Sequence, residues 1–550
     1  MGQNRTSVLA IDLGASSGRG IVGTYDPDSG LELHEVHRFE NGPMEEPVPT
    51  DRAAVAGEPA HAGEGCSHGG AADAGEGRPS DGAAFAGDGV GEPAHAGEGR
   101  AGADAAPATP TTMRWDVDAL VENIRVAATR AAGTYDLASM GIDTWGVDYG
   151  LLDGEGRLVA PPAHYRDPRT AGLAEQLAAA GSLAGVYEAT GIQVMDINTL
   201  FQLVAALRAD PSLATRANRL LMMPDLLGYL LTGVGGCERS IASTTQLLRA
   251  DTGAWDEGIA ERLGIPASWL LPVAPEGEPR GEMALDSGAR IPLLSVCGHD
   301  TASAVASVEL GDDALFVSCG TWSLVGTELV DPVVTPEAER LNITNERGAE
   351  NSVLHLENCT GLWIAQELRR DLAATAQSLS WSEAVRAAEE APAYACVVDT
   401  DAPELASPGS MAGKLRRLAR EMGQPVPETP GELFRCVYDS LALRYRQARE
   451  DVGRTTGRRF SRVRIIGGGA QNALLCQVVA DVLGIPVVAG PFEATAIGNV
   501  LVQLVAHGVF ANLSEARAAV RPSLDLVTYE PREPVPQEVW ERYRRACDLG

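Results

Sequence analysis

The residues best suited to chemistry lie in the middle of the chain, in the run 295–305. This run follows an apolar stretch, residues 291–294, which predicts a buried strand, and it continues into small residues that suit a closely packed helix start. Asp300 stands at the transition, and burying a carboxylate is costly unless it is paired or used. Asp300 is therefore a candidate general base. The alternative is that Asp300, Thr301 and Ser303 cap the helix.

A turn rich in glycine and serine stands near the start of the chain. Residues 8–11 and 21–25 predict two strands, and residues 12–20 predict the turn between them. Such a turn presents backbone N–H groups and hydroxyls, which suit phosphate oxygens. Asp12, where the first strand ends, is placed to hold Mg²⁺ directly or through water. An ordinary hairpin is the alternative, because hairpin turns commonly use glycine for geometry alone.

A second hairpin of the same kind opens the second half of the chain. Residues 314–317 and 324–327 predict strands, and residues 318–323 predict a turn of glycine and hydroxyl residues. Two such hairpins, one at the start of each half, predict two lobes of like topology that face each other.

A third glycine cluster, residues 467–472, follows the predicted strand 463–466 and precedes a helical run. A strand-to-helix turn of this kind lets a ligand approach the backbone and the helix N-terminus. The cluster is a weak dinucleotide motif, because Asn472 stands where the G-x-G-x-x-G pattern needs its last glycine. Residues 491–499 predict a loop that leads into a buried helix and completes the second lobe.

Residues 140–153 predict two strands with a polar, aromatic break between them. In this break Trp145 and Gly146 lie between Asp143 and Asp148. A tryptophan face flanked by carboxylates suits a sugar, because the ring stacks on the sugar and the acids accept hydroxyl protons. A core tryptophan beside turn aspartates explains the pattern equally well.

Residues 44–112 differ in composition from the rest of the chain. Ala, Gly, Glu, Asp and Pro dominate, and the nonapeptide at 57–65 recurs at 91–99. Such a segment cannot bury enough apolar surface to offset the entropy of ordering, so we predict a disordered insertion in a surface loop. Ordered structure is predicted again from about Arg114, and Asp116 is predicted to be the N-cap of a helix.

The bulk composition narrows the class of protein. The chain has 550 residues, of which 45% are hydrophobic and 22% charged, as in an ordinary globular enzyme of two or more domains. The net charge of −31 argues against nucleic-acid or anionic-membrane binding, since both need basic surface. No apolar run approaches the ~20 residues of a membrane span. The 9 scattered cysteines and the short polar N-terminus indicate a reducing, cytoplasmic setting.

Lysine is almost absent from the sequence. A P-loop kinase needs a glycine-rich loop that ends in a lysine at the phosphates. The only lysine is Lys414, which lies in no glycine-rich loop. If the chain handles ATP, it therefore uses another scheme to hold the phosphates.

Taken together, these motifs resemble those of the FGGY family of carbohydrate kinases, and they run in order over nearly the whole chain. The matching segments are IDLGASSGR (11–19), GIDTWGVD (141–148), YRDPRT (165–170), MPDLLGYLLTG (223–233), GHDTASAV (298–305), SCGTWSLVG (318–326), NITNERGAE (342–350), GGGAQNALL (467–475) and AGPFEATAIGN (489–499).

The resemblance implies an α/β protein with a two-lobed, actin-like fold of the ribonuclease H type. Residues 1–309, interrupted by 44–112, would form the sugar-binding lobe, and residues 310–550 the nucleotide-binding lobe. The implied activity is transfer of the γ-phosphate of ATP, with Mg²⁺, to the C1 hydroxyl of L-rhamnulose. Alternatives are a family member that acts on xylulose, ribulose, fuculose or glycerol, and an actin-like ATPase without a sugar substrate. The expected partners are small molecules only, in a monomer or homodimer.

The resemblance also implies roles for individual residues. Asp300 is similar to the family's proton acceptor, and Asp12 is similar to its Mg²⁺-associated aspartate. The implied sugar contacts are Gly146, His299, Asp300, Thr301 and Asn358. The implied nucleotide contacts are Ala15, Ser16, Ser17, Gly18, Arg19, Thr321, Gln366 and Gly468. Two departures stand out: the tract 44–112 is far longer than the family's connection there, and Cys297-Gly298 replaces the usual small residues such as Ala-Ser.

Overall fold

The computed structural model describes residues 5–47, 111–375 and 377–548. The predicted insertion, residues 44–112, falls almost entirely outside these ranges, so its disorder stays a prediction.

Strands of the first half form one large sheet and two small ones. They are β1 (Thr6–Leu13), β2 (Ser17–Asp26), β3 (Gly30–Glu40), β4 (Pro43–Pro47), β5 (Thr111–Trp115), β6 (Leu137–Thr144), β7 (Tyr149–Leu152), β8 (Arg219–Met222), β9 (Pro279–Ala284) and β10 (Arg290–Leu294). The large sheet has the order β3-β2-β1-β6-β10-β9, while β4 pairs with β5 and β7 pairs with β8. β1 runs antiparallel to β2 and parallel to β6, and β6 runs parallel to β10. The two strands predicted within residues 140–153 therefore belong to different sheets.

The predicted first hairpin is confirmed, with longer strands and a shorter turn. Only residues 14–16 separate β1 from β2, and Leu13 pairs with Gly18 at the end of the ladder. The Gly14 N–H donates to the Ser17 carbonyl at 2.9 Å, which closes the turn. β1 is buried over almost its whole length, as expected for a strand covered on both faces.

Strands of the second half form a single sheet. They are β11 (Ala314–Cys319), β12 (Trp322–Leu329), β13 (Thr344–Arg347), β14 (Val353–Thr360), β15 (Arg462–Ile466), β16 (Val487–Ala489) and β17 (Val527–Tyr529), in the order β13-β14-β12-β11-β15-β16-β17. β11 runs antiparallel to β12 and parallel to β15, which repeats the pattern around β1. The second predicted hairpin and the strand before the third glycine cluster are confirmed.

The helices fill the connections between the strands. In the first half they are α1 (Val117–Ala132), α2 (Leu173–Ala179), α3 (Val186–Thr190), α4 (Thr199–Ala209), α5 (Leu213–Arg216), α6 (Met223–Thr232), α7 (Arg239–Ser243), α8 (Glu257–Arg262) and α9 (Asp300–Ala306). In the second half they are α10 (Pro336–Arg340), α11 (Trp363–Ala374), α12 (Trp381–Glu390), α13 (Met411–Glu421), α14 (Pro430–Thr456), α15 (Ala473–Leu483), α16 (Ala494–Ala506), α17 (Leu513–Val520) and α18 (Gln537–Asp548).

Helix α1 begins where the sequence predicts it. The Asp116 side chain accepts a hydrogen bond from the Ala119 N–H at 2.9 Å, as an N-cap does. Its predicted apolar face, which includes Leu120 and Ile124, is buried. None of the helices in the described ranges combines the length and the apolar composition that a membrane crossing needs.

Helix α16 also contacts elements of the first half. The predicted buried helix around residues 491–499 is confirmed, and it packs against α9 and against β1 and β6 of the first sheet. It is buried on all sides, which suits a helix that lies inside the protein rather than on its surface. One apolar cluster, which includes Ala10 of β1, Ala304 of α9, Phe316 of β11 and Val500 of α16, joins the two large sheets. Helices α9 and α16 therefore form part of the junction between the halves.

Candidate active site

A cavity of about 290 Å³ is lined by residues from both halves of the chain. The predicted site residues that line it are Asp12, Ala15, Ser16, Arg19, Gly146, His299, Asp300, Thr301, Thr321, Asn358 and Gly468. Ser17, Gly18 and Gln366 are not among the lining residues: the first two lie on β2 just behind the turn, and Gln366 lies on α11. The cavity thus brings the predicted sugar-side and nucleotide-side residues together.

Backbone hydrogen bonds hold the loop that carries His299 and Asp300. β10 ends at Leu294, and α9 begins at Asp300 with His299 in the N-cap position. The Gly298 N–H donates to Glu238 Oε2 at 2.9 Å, and the His299 N–H donates to Ser240 Oγ at 3.2 Å. A side chain at Gly298 would meet Glu238 Oε2 at 3.1 Å, so glycine lets the loop lie directly on these partners.

Glu238 is itself held in place by the start of α7. Its carboxylate accepts hydrogen bonds from the Ser240 N–H at 2.9 Å, the Ser240 hydroxyl at 2.6 Å and the Ile241 N–H at 3.1 Å. The residue is buried, and burial raises its pKa while the Ser240 bonds lower it. A satisfied buried carboxylate of this kind rigidifies the segments that it joins.

Asp300 is the first residue of α9, and its side chain is 32% exposed. Burial raises the pKa of Asp300 to about 6, the neighbouring His299 opposes this shift, and the charge of Asp12 adds to it. The Thr301 hydroxyl donates to Asp300 Oδ1 at 3.3 Å and the Ser303 hydroxyl donates to the Thr495 carbonyl at 3.1 Å, so neither hydroxyl caps the start of α9. A carboxylate with a pKa near neutrality, in a cavity, suits proton transfer.

Gly146 leaves room beside His299. A Cβ at Gly146 would lie 3.3 Å from His299 Nε2 and 3.2 Å from Thr244 Cγ2, which is tighter than ordinary packing. The next residue, Val147, has a φ of 67°, an unfavourable value for a β-branched side chain. Its carbonyl accepts from the Thr199 hydroxyl at 2.6 Å. Strained backbone held by its surroundings is typical of functional sites.

The two aspartates beside Trp145 lie behind the cavity rather than in it. Trp145 lines the cavity but stacks on Trp115, with ring centroids 4.0 Å apart. Asp148 accepts hydrogen bonds from Trp115 Nε1 at 2.6 Å and Trp145 Nε1 at 3.0 Å. Asp143 is fully buried. The idea that both acids accept sugar hydroxyls is therefore not supported by their position, and the core interpretation fits both rings.

Asn358 reaches the cavity from the second sheet. It lies on β14, and both its backbone N–H and its side-chain amide donate to Gln193 Oε1, at 3.3 and 3.0 Å. Gln193 also lines the cavity and belongs to the first half of the chain. This pair is a direct polar contact between the halves at the cavity wall.

The first hairpin places a charged pair at the cavity. Arg19 donates to Asp12 Oδ2 at 2.9 Å and also pairs with Glu493. Ala15 and Ser16 form the tip of the turn, while a side chain at Gly18 would overlap the ring of Phe39. The guanidinium therefore sits between two carboxylates, beside the turn that is predicted to bind phosphate.

Carboxylates near Asp12 make this part of the cavity suitable for a hard cation. Burial and then the charge of Asp12 raise the pKa of Asp143, and the same two effects raise that of Asp300. Asp143 Oδ2 accepts from Asn499 at 2.6 Å, whereas Oδ1 is buried without a hydrogen-bond partner. The Asp12 carboxylate lines the cavity and fits Mg²⁺, which binds through one or two carboxylates and keeps several waters. Within the described ranges no closed group of three or more His, Cys, Asp or Glu side chains suits a metal.

The second hairpin and the third glycine cluster form the opposite wall. The Thr321 hydroxyl lies 3.5 Å from Gln366 Oε1, so Gln366 reaches the hairpin through Thr321. Gly468 follows β15, and a side chain there would meet nothing within 4 Å, which leaves its backbone open. Cys319 packs against Gly469, where a Cβ would overlap its sulfur.

Sequence reasoning assigned no role to several other residues of the cavity wall. Glu346, Gln193, Thr244 and Trp322 line it, and Glu493 contacts Arg19. Glu346, Trp322 and Glu493 lie inside the quoted motifs, so motif membership marked them. Gln193 and Thr244 lie in no such motif, and only the tertiary structure brings them to the cavity.

Comparison with known proteins places the fold and the family. The model of the FGGY family of carbohydrate kinases, N-terminal domain, matches residues 97–307, and that of its C-terminal domain matches residues 315–507. The chain is similar in fold to the xylulose kinase of Lactobacillus acidophilus, with a TM-score of 0.70, 14% identity, and coverage of 99% of this chain and 97% of that one. It is similar in the same way to the Plasmodium falciparum glycerol kinase, with a TM-score of 0.67 and 12% identity over 99% and 97% of the two chains. The expected two-lobed, actin-like α/β fold is confirmed.

Closer relatives cover nearly the full length. The rhamnulokinase of Klebsiella pneumoniae subsp. pneumoniae is 36% identical, covering 95% of this chain and 94% of its own length. The rhamnulokinase of Bacteroides thetaiotaomicron is 35% identical, covering 96% of each. The family models match both halves of the chain, and these relatives match nearly all of it. Its cavity is lined by Asp300, at the start of α9, and by the turns of the two glycine hairpins. The chain belongs to the FGGY family of carbohydrate kinases.

Proposed function

We propose that this kinase phosphorylates L-rhamnulose at its C1 hydroxyl with ATP, giving L-rhamnulose 1-phosphate and ADP, as a step of L-rhamnose catabolism. The relatives that match almost the whole chain at 35–36% identity are rhamnulokinases. The observation that carries the chemistry is the position of Asp300, which lines the same cavity as the turns of the first and second hairpins.

Asp300 acts as the general base in this proposal. It takes the proton of the C1 hydroxyl as the sugar oxygen forms its bond to the γ-phosphorus, while the bond from that phosphorus to the bridging oxygen breaks and ADP leaves. A pKa of about 6 leaves most of the carboxylate ionised at neutral pH, yet keeps it basic enough to accept a proton. General-base catalysis of this kind contributes ~10²–10⁴ in rate.

The residues of the first half hold the sugar. Gly146 leaves the space beside His299, and His299 and Thr301 flank Asp300 at the start of α9. Asn358 approaches from β14. We propose residues 1–309 as the sugar-binding lobe, with Asn358 as a contact from the nucleotide-binding lobe, residues 310–550.

The two hairpins and the third glycine cluster hold the nucleotide. Backbone N–H groups of the turn at Ala15 and Ser16, with Ser17 and Gly18 behind it, face phosphate oxygens in place of a P-loop lysine. Arg19 supplies the positive charge there, and on the opposite wall Thr321, Gln366 and Gly468 contact the nucleotide.

Asp12 would hold Mg²⁺ directly or through water. The ion, when bound with ATP, neutralises charge on the phosphates. Asp12 is oriented for this task by its 2.9 Å contact with Arg19, and Asp143 lies behind it with an unpaired oxygen.

The decisive experiment is ATP consumption by the purified protein with L-rhamnulose, compared with xylulose, ribulose, fuculose, glycerol and no sugar. We expect L-rhamnulose to give the highest kcat/KM and the no-sugar reaction to be negligible. A higher kcat/KM for another sugar would assign that sugar instead, and ATP turnover without sugar would favour an ATPase.

The matching active-site test is Asp300→Asn. We expect the variant to fold as the parent does and to lose on the order of a thousandfold in kcat, within the range for general-base removal. Circular dichroism and the melting temperature control for folding. Unchanged turnover would rule out Asp300 as the base.

A further inference from the structure

His299 lies between two carboxylates that come from different halves of the chain. Its Nε2 is 3.4 Å from Asp300 Oδ1, and its Nδ1 is 3.1 Å from Glu346 Oε2. The His299 side chain is 9% exposed and the Glu346 side chain 7%. Glu346 lies on β13, in which every residue is buried. A carboxylate of the second sheet thus faces the imidazole next to the proposed base.

Glu346 has no evident structural use at this position. Neither Glu346 Oε2 nor His299 Nδ1 makes a well-aligned hydrogen bond to any described residue. The neighbouring Arg347 turns away and donates to the Ala250 carbonyl. A buried carboxylate without strong partners destabilises a fold, and His299 is the one charged side chain that pairs with Glu346 among the described residues, so the role of Glu346 is sought there.

Charged groups around the His299 imidazole shift its pKa, and the imidazole in turn shifts the pKa of Asp300. Burial lowers the pKa of His299, but the negative charges of Glu346, Asp300 and Glu238 together raise it, so the pKa of His299 is raised overall. The positive imidazole in turn opposes the rise in the pKa of Asp300 that burial causes, while Asp12 adds to that rise. Asp143 also interacts with Asp300.

We infer that Glu346 is a positioning residue for the reaction, which acts through His299: its carboxylate, 3.1 Å from Nδ1, keeps the imidazole positively charged, so that Asp300 stays ionised and ready to accept a proton. The inference rests on the proposed role of Asp300 as the base. Glu346 itself touches neither the reacting oxygen nor the phosphate in this scheme.

The test is the pH dependence of kcat/KM in Glu346→Gln, which keeps the shape of the side chain and removes its charge. The parent should lose activity below about pH 6, where Asp300 becomes protonated. In the variant the imidazole loses its proton more easily, so Asp300 loses its positive neighbour. The acidic limb of the pH profile of kcat/KM should therefore move to higher pH. If the limb moves by about one pH unit, the defect should approach about tenfold well below pH 6, be about threefold at pH 6.5 and be much smaller at pH 9.

A matched control is Glu357→Gln. Glu357 is a buried carboxylate on the adjacent strand β14, and it pairs with Arg444 at 2.8 Å rather than with His299. This variant should lower the melting temperature without moving the acidic limb. A general loosening of the second sheet would instead lower activity by the same factor at every pH.

A double variant tests whether Glu346 acts through His299. If Glu346 acts through His299, Glu346→Gln should change kcat/KM less than twofold once His299→Gln is present. An additional tenfold loss in that background would show that Glu346 acts by another route and would overturn the inference, as would an unmoved acidic limb in the single variant. If Asp300→Asn retains turnover, the role of Asp300 as the base fails instead, and if L-rhamnulose is not the preferred sugar, the proposed function fails, so these failures are distinguishable.

Nuclear magnetic resonance of the unaltered protein covers the case in which Glu346→Gln does not fold. With ¹⁵N-labelled histidine, the His299 signals are assigned by their loss in His299→Gln among the 9 histidines. We expect both ring nitrogens of His299 to be protonated at pH 7. A neutral imidazole at that pH would overturn the inference.

Discussion

The two large sheets have the same strand order but different chemistry at their hairpins. The order β3-β2-β1-β6-β10-β9 matches β14-β12-β11-β15-β16-β17, with the same parallel and antiparallel neighbours and with β13 added at one edge. In both hairpins a glycine N–H closes the turn, from Gly14 to Ser17 at 2.9 Å and from Gly320 to Trp322 at 2.8 Å. The strand arrangement is therefore used twice, with turns of different length, residues 14–16 in the first hairpin and residues 320–321 in the second.

The side chains of the two hairpins differ at the penultimate residue of the first strand. In the first hairpin Asp12 stands opposite Arg19, whereas in the second Ser318 stands opposite Leu324. Behind the second turn lie neutral groups, with the Ser323 hydroxyl 2.6 Å from the Tyr445 hydroxyl. The comparison teaches that hairpins at equivalent places in the two sheets can present either charged or neutral side chains, and that the cross-strand pair beside the turn decides which.

The largest expected effect comes from replacing Asp12, the acidic residue of the first hairpin. Asp12→Asn should lower kcat by roughly 10²–10³, the range for removing one group that stabilises transition-state charge, because Asp12 is the proposed Mg²⁺ contact. The equivalent change in the second hairpin, Ser318→Ala, should lower kcat less than about threefold. Steady-state kinetics over a range of Mg²⁺ concentrations measures both, and equal losses would remove the proposed distinction between the hairpins.

The next effect concerns the two helices that follow the equivalent strands β10 and β16. A side chain at Gly498 of α16 would overlap the carbonyl oxygen of Ser303 in α9. Gly498→Ala should therefore lower the free energy of unfolding by about 2–3 kcal/mol, as overpacking does, and should also reduce activity because α9 begins with Asp300. Urea unfolding measures the loss. Gly154→Ala is the control, since a Cβ at Gly154 would meet nothing within 4 Å.

A smaller effect is a pH-dependent increase in the free energy of unfolding when the Asp300 carboxylate is replaced by an amide. The pKa of Asp300 is about 6 in the folded protein, against an ordinary value of 3.8. Between these values the folded state binds more protons than the unfolded state, so this group makes stability fall as pH rises from about 4 to 6. Asp300→Asn should thus be more stable than the parent by about 1–2 kcal/mol at pH 8.

This gap between Asp300→Asn and the parent should close below about pH 4, where Asp300 is protonated in both states. Chemical unfolding at several pH values measures it. Ser318→Ala, whose side chain does not titrate, should show a difference from the parent that is the same at every pH. A constant difference for Asp300→Asn as well would show that its effect is one of packing rather than of charge.

The smallest effect is expected from the tract 44–112, which interrupts the first half alone. Its described ends, β4 and β5, pair with each other, so a short connection can join them. A chain that lacks residues 50–108 should keep kcat and its melting temperature within experimental error. A loss of either would show that the tract contributes to the folded enzyme.

Local sequence patterns predicted the elements that depend on neighbouring residues. Both hairpins, the N-cap at Asp116 and the strand before the third glycine cluster are set by short apolar runs, turn glycines and a capping carboxylate. The loop into a buried helix around residues 491–499 was predicted, but the sequence indicated no packing partner for this helix. A helix that is apolar on every side carries no pattern that selects one sheet over the other, so only the close fit of Gly498 against Ser303 shows where it lies.

By itself, the sequence determined the two glycine hairpins and the choice of Asp300 as the candidate base, because these depend on residue type and short-range spacing, and the resemblance of its motifs indicated the family and its α/β fold. Only the tertiary structure decided that Asp143 and Asp148 lie behind the cavity and that Glu346 faces His299. Burial and electrostatic interaction depend on distances in space, and side chains remote in the sequence, such as Arg19 and Glu493, become neighbours only when the two sheets pack together.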